Sequence, residues 1–189
     1  MSTTISLFIQ DPDGENKEID LDDVWAHADV IDEDSMHALL VNVIAVWALE
    51  NGNRFDDITP LTVDDDEGQE LEIHQETTNP HLWIREVVQL YLHLLSDKHY
   101  CEDEAILAYV DNQGWKWTDF DSDLEQAEDE YYSEFDGDYD EYAREYLSNN
   151  GEGIPEHMEK YFDYEEYGEA LVDDFDRCEW GSREFLFSS

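Results

Sequence analysis

The sequence predicts an α+β fold, elongated and built of two to three small domains with acidic amphipathic helices and short strands. Its 189 residues, 41% of them apolar, suffice for one domain or for two to three small ones. Segments rich in β-forming residues lie near both ends of the chain. Within residues 119–176, apolar side chains recur at the helical period of 3.6 residues, namely Leu124, Ala127, Tyr131, Phe135, Tyr139, Tyr142, Ala143, Tyr146 and Leu147.

The first half of the chain is predicted to pack around one central helix. Residues 3–10 alternate loosely and precede a turn at 11–14, so they are predicted as a strand. A helix is predicted over residues 36–50, with Ser35 as its cap, and its apolar side chains on nearly all sides indicate a central place in a core. The acidic stretch 18–34 contributes the packing residues Ile19, Leu21, Val24 and Trp25.

Three further elements precede the acidic stretch. Residues 71–74 are predicted as a short strand, and Asn79-Pro80 marks the start of a helix that runs to about residue 95. One face of that helix carries Trp83, Val87, Leu90, Tyr91 and Leu94. A third helix over 102–110 ends at a break that we take as the domain boundary. The prediction is an N-terminal acidic and helical region, 1–113, with one or two subdomains, and a C-terminal domain, 114–189.

The C-terminal domain is predicted to alternate helices with short strands. Asp163 and Glu166 have the spacing of a capping box, which predicts that a helix begins near residue 164. The predicted helices span 122–135, 138–147, 155–162 and 164–172, and the predicted strands span 175–178 and 184–187. Side chains expected to be buried here are Tyr161, Phe162, Tyr164 and Leu171.

The charge of the chain limits its partners. With 52 Asp and Glu against 9 Lys and Arg, the net charge is −43. Affinity for phosphates comes from Lys and Arg, so direct binding to nucleic acid is excluded, and binding to an anionic membrane surface is disfavoured for the same reason. Basic surfaces, above all DNA-binding clefts, are the expected partners. The N-terminus lacks the pattern of a signal peptide, and the two cysteines lack metal-ligand spacing, which favours a cytoplasmic protein with reduced thiols.

The acidic residues are concentrated in three blocks, 11–34, 64–76 and 119–176, and the last holds 23 Asp or Glu against Arg144 and Lys160. Duplex DNA carries one charge per ~1.7 Å, so the net charge of −43 on the whole chain corresponds to roughly 70 Å of duplex. A compact globule of this length has a diameter of about 40 Å. An elongated chain or a dimer would therefore display the charge at the spacing of DNA.

Catalytic signatures are absent from the sequence, which contains no GxGxxG, GxxxxGK[ST], GxSxG or HExxH motif. The prediction is a protein that is not an enzyme and has no catalytic residues, no cofactor and no bound metal. The best metal candidate is Asp119-x-Asp121-x-Asp123 with Glu130 at the twelfth position, as in an EF-hand loop. Leu124 stands where the sharp turn of that loop needs glycine, so a helix start is the favoured interpretation.

The C-terminal half resembles the ArdA family of antirestriction proteins over residues 104–187. The resemblance rests on an E-x-x-Y-x-x-E segment at 128–134, E-Y-A-R-E at 141–145, Ile154-Pro155 and YFDYEEYGEAL at 161–171. The last is the most specific, because its order of Tyr, Asp, Tyr and Gly is not produced by acidity alone. Residues 1–100 match the family poorly, so the N-terminal region is predicted to diverge from it.

The resemblance implies an acidic, multi-domain homodimer that imitates duplex DNA and occupies the DNA groove of a type I restriction–modification enzyme, chiefly its methyltransferase core. Such anti-defence proteins are carried by phages and mobile elements and act in the cytoplasm of a bacterial or archaeal host. The carboxylates predicted to stand in for phosphates are Asp119, Asp121, Asp123, Glu125, Glu128, Asp129, Glu130, Glu134, Asp136, Asp138, Asp140, Glu141 and Glu145.

Two other interpretations stay open at this point. The chain could be an acidic binding module or chaperone for another basic DNA-binding protein. It could also be a haloadapted or calcium-binding acidic domain, because a charge run is most often a solvated face and acidic composition also occurs in proteins adapted to molar salt. The blockwise arrangement of the acid favours a dedicated surface.

Overall fold

The computed structural model describes residues 5–27, 32–65, 67–73, 80–95, 101–114, 120–151 and 153–188, with only the backbone of residues 120–123. The chain divides into two compact units, residues 1–128 and 129–189. Each unit contains an antiparallel sheet with helices, which confirms the predicted α+β class. The predicted division after residue 113 lies further toward the N-terminus and stays a prediction.

The sheet of the first unit has the strand order β2-β1-β3-β4. Its strands are β1 (Ser6–Gln10), β2 (Asn16–Asp20), β3 (Thr59–Asp64) and β4 (Glu70–Glu72). Leu7 pairs with Ile19 on one side and Val63 on the other, and all three are buried. Residues opposite each other share a sheet face, so this row forms the core face of the sheet.

Two hairpin turns of the first unit are built in the same way. The Asp11 carboxylate accepts hydrogen bonds from the amides of Asp13 and Glu15, and Asp65 accepts from those of Glu67 and Gln69. The glycine at the fourth position of each turn has a positive φ, +86° at Gly14 and +79° at Gly68, which only glycine adopts at no steric cost. The predicted turn at 11–14 is therefore confirmed.

Five helices and a 3-10 turn (Phe55–Asp57) complete the described part of this unit. Helix α3 (Pro80–Leu94) buries every residue predicted for its apolar face, and α4 is buried continuously from Ala105 to Val110. Helix α2 packs against α3 and α1. The remaining bounds are α1 (Leu21–Trp25), α2 (Glu33–Glu50), α4 (Asp103–Gln113) and α5 (Phe120–Glu130).

Helix α2 departs from its prediction in two ways. It begins at Glu33 and is capped by Asp32, whose carboxylate accepts a hydrogen bond of 2.7 Å from the Ser35 amide, so Ser35 is not the cap. This backbone bond lowers the pKa of Asp32. The predicted central position is also wrong, because only Met36, Leu40, Ile44 and Ala48 are buried, while apolar residues on the other faces reach solvent.

The other helix and strand bounds of the first unit differ from their predictions by a few residues. Two strands, β2 and β3, were not predicted. Strand β2 carries exposed charged and polar residues, and β3 contains a proline and a register shift in its pairing with β1, so neither shows a regular alternation. The predicted strand at 71–74 is observed as β4, and α3 begins at Pro80 as predicted. Residues 3–4, His74 and Asn79 of these predictions lie outside the described residues.

The second unit has a three-stranded sheet of order β5-β7-β6 covered by short helices. Buried residues form two clusters, one of Phe135, Val172 and Leu186 and one of Ala143, Leu147 and Tyr164. The elements are β5 (Tyr131–Phe135), α6 (Tyr139–Asn149), α7 (Glu156–Glu159), α8 (Tyr164–Val172), β6 (Phe175–Trp180) and β7 (Arg183–Ser188).

The predicted elements of the second unit are confirmed except at two helices, one of which, predicted over 155–162, is limited to Glu156–Glu159. The Asp163 carboxylate caps α8 by accepting from the Glu166 amide at 3.1 Å, as the capping pattern predicted. The helix predicted over 122–135 ends at Glu130, and residues 131–135 form a strand, because they pair with β7. The helical spacing of Tyr131 and Phe135 was misleading.

The predicted core of residues 161–171 is only partly correct. Tyr164 is buried, but Tyr161 is 75% exposed, so its predicted burial is wrong. Phe162 and Leu171 are half-buried, and Val172 takes the fully buried position that was assigned to Leu171. Neither cysteine is in a disulfide; both thiols are buried, and burial raises the pKa of Cys101 to about 11. Within the described ranges, no helix combines the length and apolarity needed to cross a membrane.

Candidate functional site

The candidate site is built on the contact between α6 and α8 in the second unit. Gly168 of α8 is buried against the backbone of α6, where an added Cβ would lie 2.0 Å from the Tyr139 carbonyl oxygen. Only glycine permits that approach. Nearby, the Arg144 guanidinium of α6 lies 3.7 Å from the ring centroid of Tyr164 in α8. The E-Y-A-R-E and YFDYEEYGEAL segments are thus two halves of one packing unit.

An acidic groove lies between β5 and α6. A cavity of about 170 Å³ is lined by Glu134, Asp136, Glu141, Tyr142 and Glu145. An adjoining cavity of about 130 Å³ shares Glu134, Tyr142 and Glu145 and is also lined by Tyr132, Ser133, Tyr146 and Asn149. We call the two cavities together the acidic groove. Four of the predicted phosphate-mimicking carboxylates, Glu134, Asp136, Glu141 and Glu145, meet there.

Local sequence fixes how α6 presents its carboxylates. Asp136 accepts a hydrogen bond of 2.9 Å from the Asp138 amide, and Asp138 caps α6 by accepting from the Glu141 amide at 3.0 Å. Glu141 and Glu145 are four residues apart and therefore share one face of the helix. Both side chains are exposed, and in the described part of the chain neither has an ion-pair partner.

The arginines of this unit neutralise some carboxylates and leave others uncompensated. Arg183 of β7 donates two hydrogen bonds of 2.8 Å to the two Glu134 oxygens, and this pairing lowers the pKa of Glu134. Arg144 pairs with Asp140 at 2.6 Å, and Arg177 pairs with Glu184. Each of these arginines is therefore already paired with a carboxylate on a neighbouring strand or helix turn. Asp136, Glu141 and Glu145 have no arginine partner among the described residues, so they give the groove a negative potential.

The other predicted site residues do not line this groove or are outside the described residues. Asp119 is outside the described residues, and for Asp121 and Asp123 only the helical backbone of α5 is described. Glu125, Asp129 and Glu130 are on α5, as is Glu128, whose Oε1 lies 2.8 Å from His93 Nε2. Residues 120–130 form a continuous helix rather than a calcium-binding loop. Across the ranges that the structure describes, no three or more His, Cys, Asp or Glu side chains are grouped so that they could hold a metal ion.

The tyrosines of the groove were not predicted as site residues. Tyr142 and Tyr146 were assigned to the packed face of α6, and both are half-buried with part of the ring lining the groove. Burial raises the pKa of Tyr142. Their four-residue spacing beside Glu141 and Glu145 is the sequence signal that places them at the edge of the carboxylate face.

Comparison with known proteins gives one finding. No curated protein and no solved structure matches the chain significantly. A protein family described as "Antirestriction protein (ArdA)" matches residues 17–179. The resemblance noted in the sequence began at residue 104, whereas this match begins at residue 17. It therefore includes both α2 and the acidic groove. Because this range is most of the chain, the protein belongs to the ArdA family of antirestriction proteins, which inhibit restriction enzymes.

Proposed function

We propose that the chain is a non-enzymatic DNA mimic that occupies the DNA-binding groove of a type I restriction–modification enzyme, chiefly its methyltransferase core. The observation that supports this most is the convergence of Asp136, Glu141 and Glu145, none of which pairs with a described arginine, on one groove in a chain of an antirestriction family. Carboxylates form charge-assisted hydrogen bonds with the same Lys and Arg side chains that bind phosphates.

The rigidity of these carboxylates is central to the proposal. Asp136 and Asp138 fix the start of α6, and Gly168 fixes α6 against α8, so the backbone positions that carry Glu141 and Glu145 are set before binding. Preorganised charges lose less conformational entropy on association than those of a disordered acidic tail. A net charge of −43 also means that the protein should bind the enzyme and not DNA itself.

The proposal extends to assembly and location. A homodimer would double the length over which charge is displayed, which brings it closer to the spacing of duplex DNA. Sedimentation of the purified protein would measure this directly. The restriction enzymes of a bacterial or archaeal host act in its cytoplasm, which is therefore the proposed site of action.

A competition experiment tests the mimic. Purified type I methyltransferase core is titrated with labelled duplex DNA in the presence of the wild-type protein. We expect mutual exclusion, with an inhibition constant that weakens steeply as salt rises. Glu141→Gln/Glu145→Gln should weaken binding roughly tenfold at low salt and less at high salt. Its matched control is Glu165→Gln/Glu169→Gln on α8, which removes the same charge at the same spacing outside the groove.

Several outcomes would reject the proposal. A ternary complex of enzyme, DNA and this protein at one cleft would rule out mimicry. An equal loss of binding affinity in both double variants would indicate that binding depends on overall negative charge and not on the groove, as expected of a chaperone for basic proteins. Unfolding on removal of salt would indicate a haloadapted domain, and a rise in melting temperature with calcium but not magnesium would indicate a calcium module.

A further inference from the structure

The first unit contains an apolar groove that the acidic mimic does not use. It lies beside α2, with β2 and α1 on its other side, and consists of two cavities of about 400 Å³ each that share Lys17 and Val43. Leu39, Val43 and Val46 line it from α2, and Ile19 and Val24 line it from the opposite side. We call this the α2 groove.

The apolar wall of the α2 groove faces solvent in the described structure. Val43 is 37% exposed and Val46 is 56% exposed. Leu39, Val43 and Val46 follow the i, i+4, i+7 spacing of one helix face and extend over about two turns, or about 10 Å. Exposed apolar patches rimmed by polar residues mark interaction sites. In a chain with 52 acidic residues, such a patch on one helix is unexpected.

The rim of the α2 groove defines the charge of its occupant. Four carboxylates, Glu18, Asp20, Asp23 and Glu50, line its two cavities, against the single ammonium group of Lys17. An occupant that is apolar on one side and basic along its flanks matches both the wall and the rim. A second copy of this chain would bring the same acidic rim against itself, and like charges in contact disfavour that pairing.

The position of Lys17 argues for a helix rather than a strand as the occupant. Lys17 of edge strand β2 pairs with the buried Ile9 of β1, so Lys17 lies on the core face of the sheet. Inward-facing charges on an edge strand hinder the addition of another strand. Among the described basic residues, the arginines pair with carboxylates and Lys160 lies over the Tyr161 ring, whereas Lys17 has neither type of partner.

We propose that the α2 groove docks a basic amphipathic helix of the restriction enzyme that the acidic groove inhibits. The identity of the partner rests on the proposed function, whereas the chemistry of the groove does not. Helices bind apolar grooves through anchors at i, i+3 or i+4, and i+7. This second contact is hydrophobic, so it supplies affinity that persists at salt concentrations that screen the carboxylates.

A peptide experiment tests the chemistry of the groove in the full-length protein. The probes are a synthetic Leu/Lys peptide of about 14 residues with one apolar helix face, and a permuted peptide of identical composition that lacks this face. We expect the wild type to prefer the amphipathic peptide roughly tenfold, both at low salt and in 0.5 M NaCl. Val43→Ser/Val46→Ser should abolish that preference.

The matched control is Leu49→Ser, which removes an exposed apolar residue (76% exposed) of the same helix that does not line the groove. It should keep the preference, and melting curves of both variants should match the wild type because the replaced side chains reach solvent. The proposal would be overturned if the wild type bound the two peptides equally. It would also be overturned if Leu49→Ser lost the preference for the amphipathic peptide as fully as Val43→Ser/Val46→Ser.

An enzyme experiment tests the source of the helix. Against the methyltransferase core in 0.5 M NaCl, Val43→Ser/Val46→Ser should weaken binding roughly tenfold relative to Leu49→Ser. If only Glu141→Gln/Glu145→Gln weakens binding, the docking proposal is wrong and the mimic stands. If the valine variant weakens binding in 0.5 M NaCl and Glu141→Gln/Glu145→Gln has no effect even at low salt, where its carboxylates are unscreened, the groove is supported and the mimic is wrong. A wild-type dimer that the valine variant converts to monomer would show that a second copy fills the groove, which also overturns the proposal.

Discussion

Residues 1–128 and residues 129–189 each combine an antiparallel sheet with helices, yet they expose different chemistry. In the second unit, α6 and α8 bury an apolar stripe and turn carboxylates such as Glu141, Glu145 and Glu165 to solvent. In the first unit, α2 buries a narrow stripe and exposes Val43 and Val46. One chain with one overall charge therefore displays an acidic surface and an apolar one.

The comparison shows that acidic residues serve two separate purposes. Asp11, Asp20, Asp32 and Asp65 in the first unit accept hydrogen bonds from backbone amides at turns and helix starts. Their charge is tied to local structure, and at Asp20 and Asp32 it also stabilises the N-terminal end of a helix through the helix dipole. Carboxylates in the middle of an exposed helix face, such as Glu145, have no such role and remain available to a partner.

The largest expected effect tests whether the two units are independent. Trp83 is among the largest fully buried side chains of the first unit. Trp83→Ala should lower the free energy of unfolding of that unit by about 3–5 kcal/mol through lost burial and a cavity. Calorimetry should show an earlier transition for the first unit and an unchanged one for the second. A single transition that shifts as a whole would show that the units unfold together.

The converse variant acts on the second unit. Gly168→Ala places a Cβ against the Tyr139 backbone, so α6 and α8 must separate, which should cost about 1–3 kcal/mol. The matched control is Gly153→Ala, because no atom lies within 4 Å of that Cβ and its φ is not positive. A melting temperature lowered equally by both substitutions would contradict the close approach of the helices.

A smaller effect concerns the ion pair that borders the acidic groove. The Arg183 hydrogen bond lowers the pKa of Glu134 below its ordinary value of 4.5. A depressed carboxyl pKa contributes stability above pH 4.5, and this contribution is lost as pH falls through the pKa of the folded state. Glu134→Gln should therefore cost up to about 1 kcal/mol at pH 7, and nothing in strong acid.

Glu141→Gln is the control for that measurement, because it removes an equal charge that has no arginine partner. Melting curves of the two variants from pH 7 to pH 2 isolate the contribution of the pair. A difference between them that did not shrink with acid would show that Glu134 acts through packing and not through its charge.

The smallest effect concerns self-repulsion on the solvent face of α8. Glu165 and Glu169 are like charges four residues apart, an arrangement that destabilises a helix by about 0.2–0.5 kcal/mol. Glu169→Gln should raise the melting temperature of the second unit slightly at low salt, and it leaves Glu165 in the first turn, where the helix dipole stabilises a carboxylate. In 1 M NaCl the gain should disappear, since the Debye length falls to about 3 Å. A gain that persists in salt would point to helix propensity instead.

Much of the second unit was predictable because its signals are local. The cap at Asp163, the end of α6 at Asn149, and strands β6 and β7 follow from residues within a few positions of each other. In the first unit the buried face of α3 was equally clear, since its apolar residues repeat at helical spacing. Strand β2 was missed because its charged and polar residues obscure the alternation, and β3 because its proline and the register shift beside it interrupt the alternation.

The sequence by itself determined the fold class, the family, the acidic character of the chain and most helix ends, because each depends on composition or on residues a few positions apart. The tertiary structure alone decided which carboxylates are neutralised, since Glu134 meets Arg183 from 49 residues away. It also decided that residues 131–135 form a strand, that α8 needs glycine at 168, and that α2 leaves an apolar face in solvent. These outcomes depend on contacts between distant segments, for which a single sequence carries no periodic signal.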